Sequence, residues 1–309
     1  MKRIIGIGET VLDIIFRGDQ PVSAVPGGST FNSMISLGRA GANCLFISET
    51  GDDRVGDVIV EFLRVNHVDN SMVQRNKGMK SPLSLAFLDE KNNADYVFYK
   101  DHEHDAIVFK YPTIEEGDLV LFGSFYSINP VIRKEVGGFL RYAREQGAIL
   151  YYDVNFRRSH QHEIEQILPN LEENIRLAHI VRGSDEDFQI LFGLSSIASV
   201  SQRLAEIRGE HQGSLIYTRG EKPVQVITSN NEQIEYAFSP IQPVSTIGAG
   251  DNFNAGFLYE LYRSGMSLQD VECGLNTDEW KQCLAMGVRF STACCQSIYN
   301  YIPEGQVER

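Results

Sequence analysis

The feature that most narrows the folds open to this chain is an alternation of short apolar runs with helix-spaced segments. Ile4-Ile5-Gly6-Ile7-Gly8, Cys44-Leu45-Phe46-Ile47, Leu119-Val120-Leu121-Phe122, Ile149-Leu150-Tyr151-Tyr152, Ile180-Val181 and Leu215-Ile216-Tyr217 are continuous apolar stretches of strand length. A strand without a polar face has to be covered on both sides, which predicts a mostly parallel sheet between helical layers. Phe31, Met34 and Ile35 after Gly27-Gly28, then Val58, Phe62 and Val65, carry helical spacing in two of the intervening segments. Two stretches break the rhythm. Residues 81–100, with Leu83-Ser84-Leu85-Ala86-Phe87-Leu88, Asn92-Asn93 and Tyr96-Val97-Phe98-Tyr99, predict a β-hairpin that is either a lid over a site or an edge ornament. Val224-Gln225-Val226-Ile227 and Ile234-Glu235-Tyr236-Ala237 predict a second hairpin closing a sheet edge. No repeat or linker divides the 309 residues, so one domain is expected.

Lys and Arg number 28 against 41 Asp and Glu, a formal charge of −13. Such a chain repels a nucleic acid backbone and an anionic membrane surface, which removes both as default partners. No run approaches the roughly 20 apolar residues of a membrane helix. The five cysteines (Cys44, Cys273, Cys283, Cys294 and Cys295) are odd in number and form no C-x-x-C. With an N-terminus that lacks a signal-peptide core, they predict reduced thiols and a cytoplasmic protein. His102-x-His104 and His160-x-His162 have no cysteine or carboxylate cluster beside them and are expected to be exposed loop residues.

The densest chemical signal is Ser245-Thr246-Ile247-Gly248-Ala249-Gly250-Asp251-Asn252-Phe253-Asn254-Ala255-Gly256-Phe257. Phe253, Phe257, Leu258 and Leu261 place a helix start near Gly250 or Asp251. Small residues ahead of a helix leave its first amides open to an anion. Asp251 is then either an N-cap or a carboxylate beside an anion hole. The second arrangement is what phosphoryl transfer to a hydroxyl needs: a base for the alcohol proton and amides for the phosphoryl oxygens. A nicotinamide-dependent dehydrogenase is the first rival, on Gly6-Ile7-Gly8, but Val11 stands where the third glycine belongs. No G-x-x-x-x-G-K-[ST] occurs, which excludes a P-loop enzyme.

Gly248-Ala249-Gly250-Asp251-x-Phe253-x-Ala255-Gly256-Phe257 closely resembles the C-terminal signature of the ribokinase-like, or phosphofructokinase-B, sugar kinases. Gly27-Gly28-Ser29-Thr30-Phe31-Asn32 resembles the N-terminal signature, and Gly51-Asp52-Asp53-x-x-Gly56 follows in order. The resemblance implies an α/β three-layer sandwich over residues 1–309, with a small β lid from about 13–26 and 81–111. It implies ATP and Mg²⁺ as cofactors and a sugar hydroxyl as acceptor. By motif position Asp251 is the general base, with Gly248, Ala249 and Gly250 as anion hole. Asp13, Gly28 and Asn32 would hold the sugar. Thr218 and Gly220 would contact nucleotide. Ser184 and Asp187 stand where the family has Asn-x-x-Glu, which makes Asp187 the expected Mg²⁺ residue, one methylene short and so reaching the metal through water; the alternative for Asp185, Glu186 and Asp187 is an acidic turn at a helix N-terminus. Phe98-Tyr99-Lys100 with Asp105, Phe122-Gly123-Ser124 and Asp153-Val154-Asn155-Phe156-Arg157 resemble the fructokinase and 2-keto-3-deoxygluconate kinase branch, with Arg157 as a clamp on acceptor or phosphate. D-Fructose is the first expected acceptor and 2-keto-3-deoxygluconate the second. A binding protein on this fold that no longer phosphorylates is the rival from another class. Homodimerisation through the lid follows by analogy only. Ser245 replaces the aspartate that helps some members hold K⁺, so weak or absent K⁺ activation is expected.

Overall fold

The computed structural model describes residues 2–88, 94–100 and 110–306. Among these the strands are β1 (Ile4–Ile7), β2 (Val11–Arg17), β3 (Gln20–Gly27), β4 (Cys44–Gly51), β5 (Val68–Asn76), β6 (Leu83–Leu88), β7 (Ala94–Tyr99), β8 (Leu119–Gly123), β9 (Ile149–Asp153), β10 (Ile180–Ser184), β11 (Ser214–Arg219), β12 (Lys222–Ile227) and β13 (Gln233–Tyr236). Nine of them form one sheet in the order β13-β12-β11-β10-β9-β8-β1-β4-β5. Pairing is parallel from β11 through to β5, and β12 at the edge is antiparallel to both its neighbours, β11 and β13.

The apolar strands behave as their composition requires. Successive side chains of β1 enter opposite layers, Ile4 on one face and Ile5 on the other, as do Tyr151 and Tyr152 of β9. One layer is built by the helices Ser29–Arg39, Ala249–Arg263 and Thr277–Cys295, the other by Arg133–Glu145, Ile164–Leu177 and Ile197–Arg208. The first layer packs tightly because of Gly256, where an added Cβ would lie 2.3 Å from the Met286 carbonyl oxygen. All five cysteines are free thiols, and among the described residues no helix is long and apolar enough to cross a membrane.

The second sheet is small, in the order β3-β2-β6-β7, and forms the lid. Its β2–β6 pairing is parallel, while β2–β3 and β6–β7 are hairpins. The helix Arg54–Val65 stands where Val58, Phe62 and Val65 carry helical spacing, and Val58 and Val65 are 43% and 48% exposed. Ile59 and Leu63 are the buried positions, so the stripe is rotated toward Gly56. β5 carries too many polar residues to be seen as a strand by pattern. Asn92, Asn93, His102, His104 and Asp105 lie outside the described residues.

Candidate active site

The helix Ala249–Arg263 starts one residue earlier than its apolar spacing suggested. Its N-cap, Gly248, has φ 77°, and a Cβ there would lie 3.0 Å from the Asn300 carbonyl oxygen. A side chain at this position would meet both a left-handed backbone and a backbone neighbour. The turn it forms is a wall between two cavities. Gly248 and Asp251 line one of about 550 Å³, while Thr246, Ala249 and Gly250 line the other, of about 470 Å³.

On the first side, Asp251 is held at both oxygens. Ser29 Oγ donates to Oδ1 at 2.7 Å and Asn32 Nδ2 donates to Oδ2 at 2.9 Å. Desolvation pushes its carboxyl up to about 6, against the pull of these two hydrogen bonds; nearby Asp153 adds to the rise and Arg157 opposes it. Asp13 is also pushed up to about 6 by burial, with a Ser84 hydroxyl bond and Arg157 opposing. Asn32 keeps its Oδ1 buried with no hydrogen-bond partner, and so does the Tyr126 hydroxyl. Buried polar atoms of this kind call for a partner. Gly28, at φ 127°, brings the chain so close that a Cβ would lie 2.4 Å from the Glu9 carbonyl oxygen. Arg157 completes the group around this cavity.

The lid reaches the same space through Phe98 and Lys100, and Lys100 is ion-paired with Glu9. His160 is no stray loop residue. It lines the cavity and stacks on Phe125, ring centroids 3.8 Å apart, with Nδ1 2.8 Å from Glu163 Oε1. His162 is exposed, as expected.

The second cavity brings together Ser184, Thr218 and Gly220 with Arg182, under a largely apolar wall that includes Phe238, Ile241 and Phe253. Arg182 is buried, donating to Asp153 Oδ1 and to Thr218 Oγ1, each at 2.9 Å. Burial alone would lower its pKa, but Asp153 holds it above the ordinary arginine value.

Asp187 is placed differently from the expectation for a metal ligand. It lines neither cavity. Its Oδ1 accepts from the Phe156 amide at 2.7 Å, and its Oδ2 accepts from the Ser184 amide at 2.6 Å and the Ser184 hydroxyl at 2.7 Å. This is a capping box for the helix Asp185–Phe192. A carboxylate with both oxygens engaged by protein donors does not fit direct ligation. Among the described residues no group of three or more His, Cys, Asp or Glu could hold a metal ion.

Sequence reasoning missed Ser29, Tyr126, Asn155 and Arg182 as site residues. Arg182 carried a usable signal, a charge inside an apolar strand. Asn155 stood inside the Asp153–Arg157 motif, but its partner Ser29 lies 126 positions away, and Tyr126 carried no signal.

Two cavities meeting at a carboxylate on a helix start, over a covered parallel sheet with a β lid, define a ribokinase-like phosphotransferase. The chain matches the pfkB family carbohydrate kinases over residues 1–304, and it belongs to that family. It is accordingly an ATP-dependent sugar phosphotransferase. Fructokinase-1 of Zea mays is 24% identical over 273 residues, covering 87% of this chain and 80% of that protein. Among solved structures, the fructokinase from Vibrio cholerae O395 in its fructose, ADP and calcium ion bound form superposes with a TM-score of 0.84 at 21% identity, covering 97% of this chain and 94% of that one. Aminoimidazole riboside kinase from Salmonella enterica gives 0.79 at 20% identity, covering 97% and 95%.

Proposed function

We propose that the acceptor is a neutral sugar, D-fructose first, and that Asp251 is the base which takes its hydroxyl proton. The observation that carries this is the position of Asp251: it lines one cavity while its neighbours Ala249 and Gly250 line the other. Sugar hydroxyls would lie against Asp13, Gly28 and Asn32, with the unpartnered Asn32 Oδ1 accepting from one of them. Nucleotide phosphates would approach Ala249, Gly250 and Arg182, where the positive end of the helix and a fixed cation stabilise charge on the transferring group, although the Ala249 amide itself already donates to the Thr246 carbonyl at 3.2 Å. Thr218, Gly220 and Ser184 would flank the nucleotide. In this reading Mg²⁺ travels with the nucleotide, held by phosphate oxygens and water, and no protein carboxylate is assigned to it.

Charge supports a neutral acceptor over 2-keto-3-deoxygluconate. Glu9, Asp13, Glu49, Glu163 and Asp251 line the acceptor cavity, against Arg157 and Lys100, and Lys100 is already paired with Glu9. An anion there meets net repulsion. The fructokinases among the relatives point the same way. The non-catalytic rival is disfavoured by the complete hydrogen bonding of Asp251.

The test is ADP release with a sugar panel at fixed ATP. D-Fructose should give the highest kcat/KM and 2-keto-3-deoxygluconate at least about tenfold less. A preference for the sugar acid would reverse the acceptor assignment, and no turnover with any sugar would favour the binding protein.

A further inference from the structure

The Asp251 carboxylate does not stand alone behind its two donors. Ser29 Oγ, which donates to Asp251 Oδ1, itself accepts from Asn155 Nδ2 at 2.8 Å. Three distant segments meet here: the turn after β9, the start of the helix Ser29–Arg39 and the start of the helix Ala249–Arg263. A hydroxyl has one proton. With Asn155 donating to its oxygen, that proton is directed at the carboxylate, which can only accept when ionised. Asn32 fixes the other oxygen, so the plane of the carboxylate is set.

Asn155 occupies a costly conformation to do this. Its φ is 34°, in the left-handed region that non-glycine residues rarely enter. Such a residue persists where its surroundings over-determine it, and that occurs most at functional sites. Both flanks are pinned. The Val154 amide donates to the Arg182 carbonyl at 2.8 Å, and the Phe156 amide donates to Asp187 Oδ1 at 2.7 Å. The Asp187 carboxylate, idle as a metal ligand, therefore anchors this turn.

We propose that Asn155 is a positioning residue for the base: the turn anchored by Asp187 presents its amide to Ser29, and Ser29 orients Asp251 toward the acceptor hydroxyl. This rests on the reading of Asp251 as base. It assigns work to three side chains that neither touch the acceptor nor bind the nucleotide in that reading. It also links the two sides of the site, since Asp187 belongs to the helix that begins beside the nucleotide cavity.

The experiment is a double-mutant cycle on the full-length protein with Ser29→Ala and Asn155→Gly. Glycine removes the amide and relaxes the left-handed backbone, so loss of fold is not the default outcome. Each single variant should lose about tenfold in kcat, with both KM values within about twofold, the size expected for one hydrogen bond to a charged group. The double variant should be no slower than Ser29→Ala, because Asn155 acts only through that hydroxyl. The acid limb of kcat/KM should move to higher pH in all three, since each weakens a donor that favours the ionised carboxylate. Asp153, Arg157 and Cys294, the other titratable neighbours of Asp251, are unchanged in these variants. Ser29→Thr, which keeps the hydroxyl, should recover most of the rate. Multiplying losses in the double variant, an unmoved acid limb, or a loss confined to KM would overturn the relay. Asp251→Asn, run alongside, separates the two readings. If it is crippled while the losses multiply, only the relay fails; if it turns over normally, the base assignment fails and the relay with it.

Discussion

The two cavities on either side of the Gly248–Asp251 turn, the proposed acceptor and nucleotide sides, are lined by opposite chemistry. The acceptor side is crowded with carboxylates and keeps two buried polar atoms, Asn32 Oδ1 and the Tyr126 hydroxyl, without a partner. The nucleotide side is walled by Phe238, Pro240, Ile241, Pro243 and Val288, with Arg182, Thr218 and Glu221 among its polar groups. Directional hydrogen bonds discriminate between isomers of a polyol, and an apolar wall accepts a flat base with little geometric demand. The acceptor side carries an energetic penalty. Asp13 and Asp251 titrate near 6 rather than 3.8. Folded-state values above the unfolded ones mean a stabilising contribution that is full below about pH 4 and lost as pH rises through 6. At neutral pH the site therefore works against the fold that holds it.

This contrast can be broken from either side. Asn32→Leu removes both polar atoms of a side chain that bonds Asp251 and faces the acceptor. It should lower kcat/KM for fructose by about 100-fold while leaving the ATP KM within about twofold. Comparable damage to both substrates would mean that the cavities are not separate recognition units. The pH profile comes next. Both Asp13 and Asp251 must be ionised, so log kcat/KM should fall below pH 6 with a slope approaching 2, and with a slope of 1 in Asp13→Asn. A slope of 1 in the unmodified protein would remove one carboxylate from the account. On the nucleotide side, Phe238→Ala should raise the ATP KM by about five- to tenfold with the fructose KM unchanged, the scale of a partly buried aromatic. The smallest effect is expected from monovalent cations. Ser245 offers a neutral hydroxyl that already accepts from the Ile247 amide at 3.2 Å. Replacing Na⁺ by K⁺ at constant ionic strength should leave initial rates within about twofold, and a larger stimulation would show that other oxygens build a cation site.

The same contrast governs what was legible in the sequence. The parallel sheet could be read from its two-sided apolar strands. The wall between the cavities could be read from one continuous run, because Gly248, Ala249, Gly250 and Asp251 are neighbours in the chain and their geometry is local. Asp13, Gly28 and Asn32, the residues proposed to hold the acceptor, came from motif position, and they meet at one cavity because β2 and the start of the helix Ser29–Arg39 converge there. What stayed hidden was partnership. Nothing local ties Asn155 to Ser29 across 126 positions, or Ser29 to Asp251 across 222. Asp187 shows the converse case, where the plain reading of an acidic residue at a helix N-terminus describes the local structure. A motif position suggested a metal ligand, whereas three protein donors occupy its oxygens, and the methylene it lacks relative to glutamate keeps it close to its own N-cap. In the helix Arg54–Val65 the apolar spacing marks the helix but not the side of it that meets the core, which carries Gly56, Ile59 and Leu63.

The central claim is that Asp251 acts on the acceptor proton rather than on binding or folding. The most direct measurement pairs steady-state kcat with calorimetric binding of D-fructose for Asp251→Asn. A kcat lower by about 10²–10⁴-fold, with fructose affinity nearly unchanged, is the predicted result. Turnover at the unmodified rate would contradict it, and so would a loss explained entirely by weaker fructose binding.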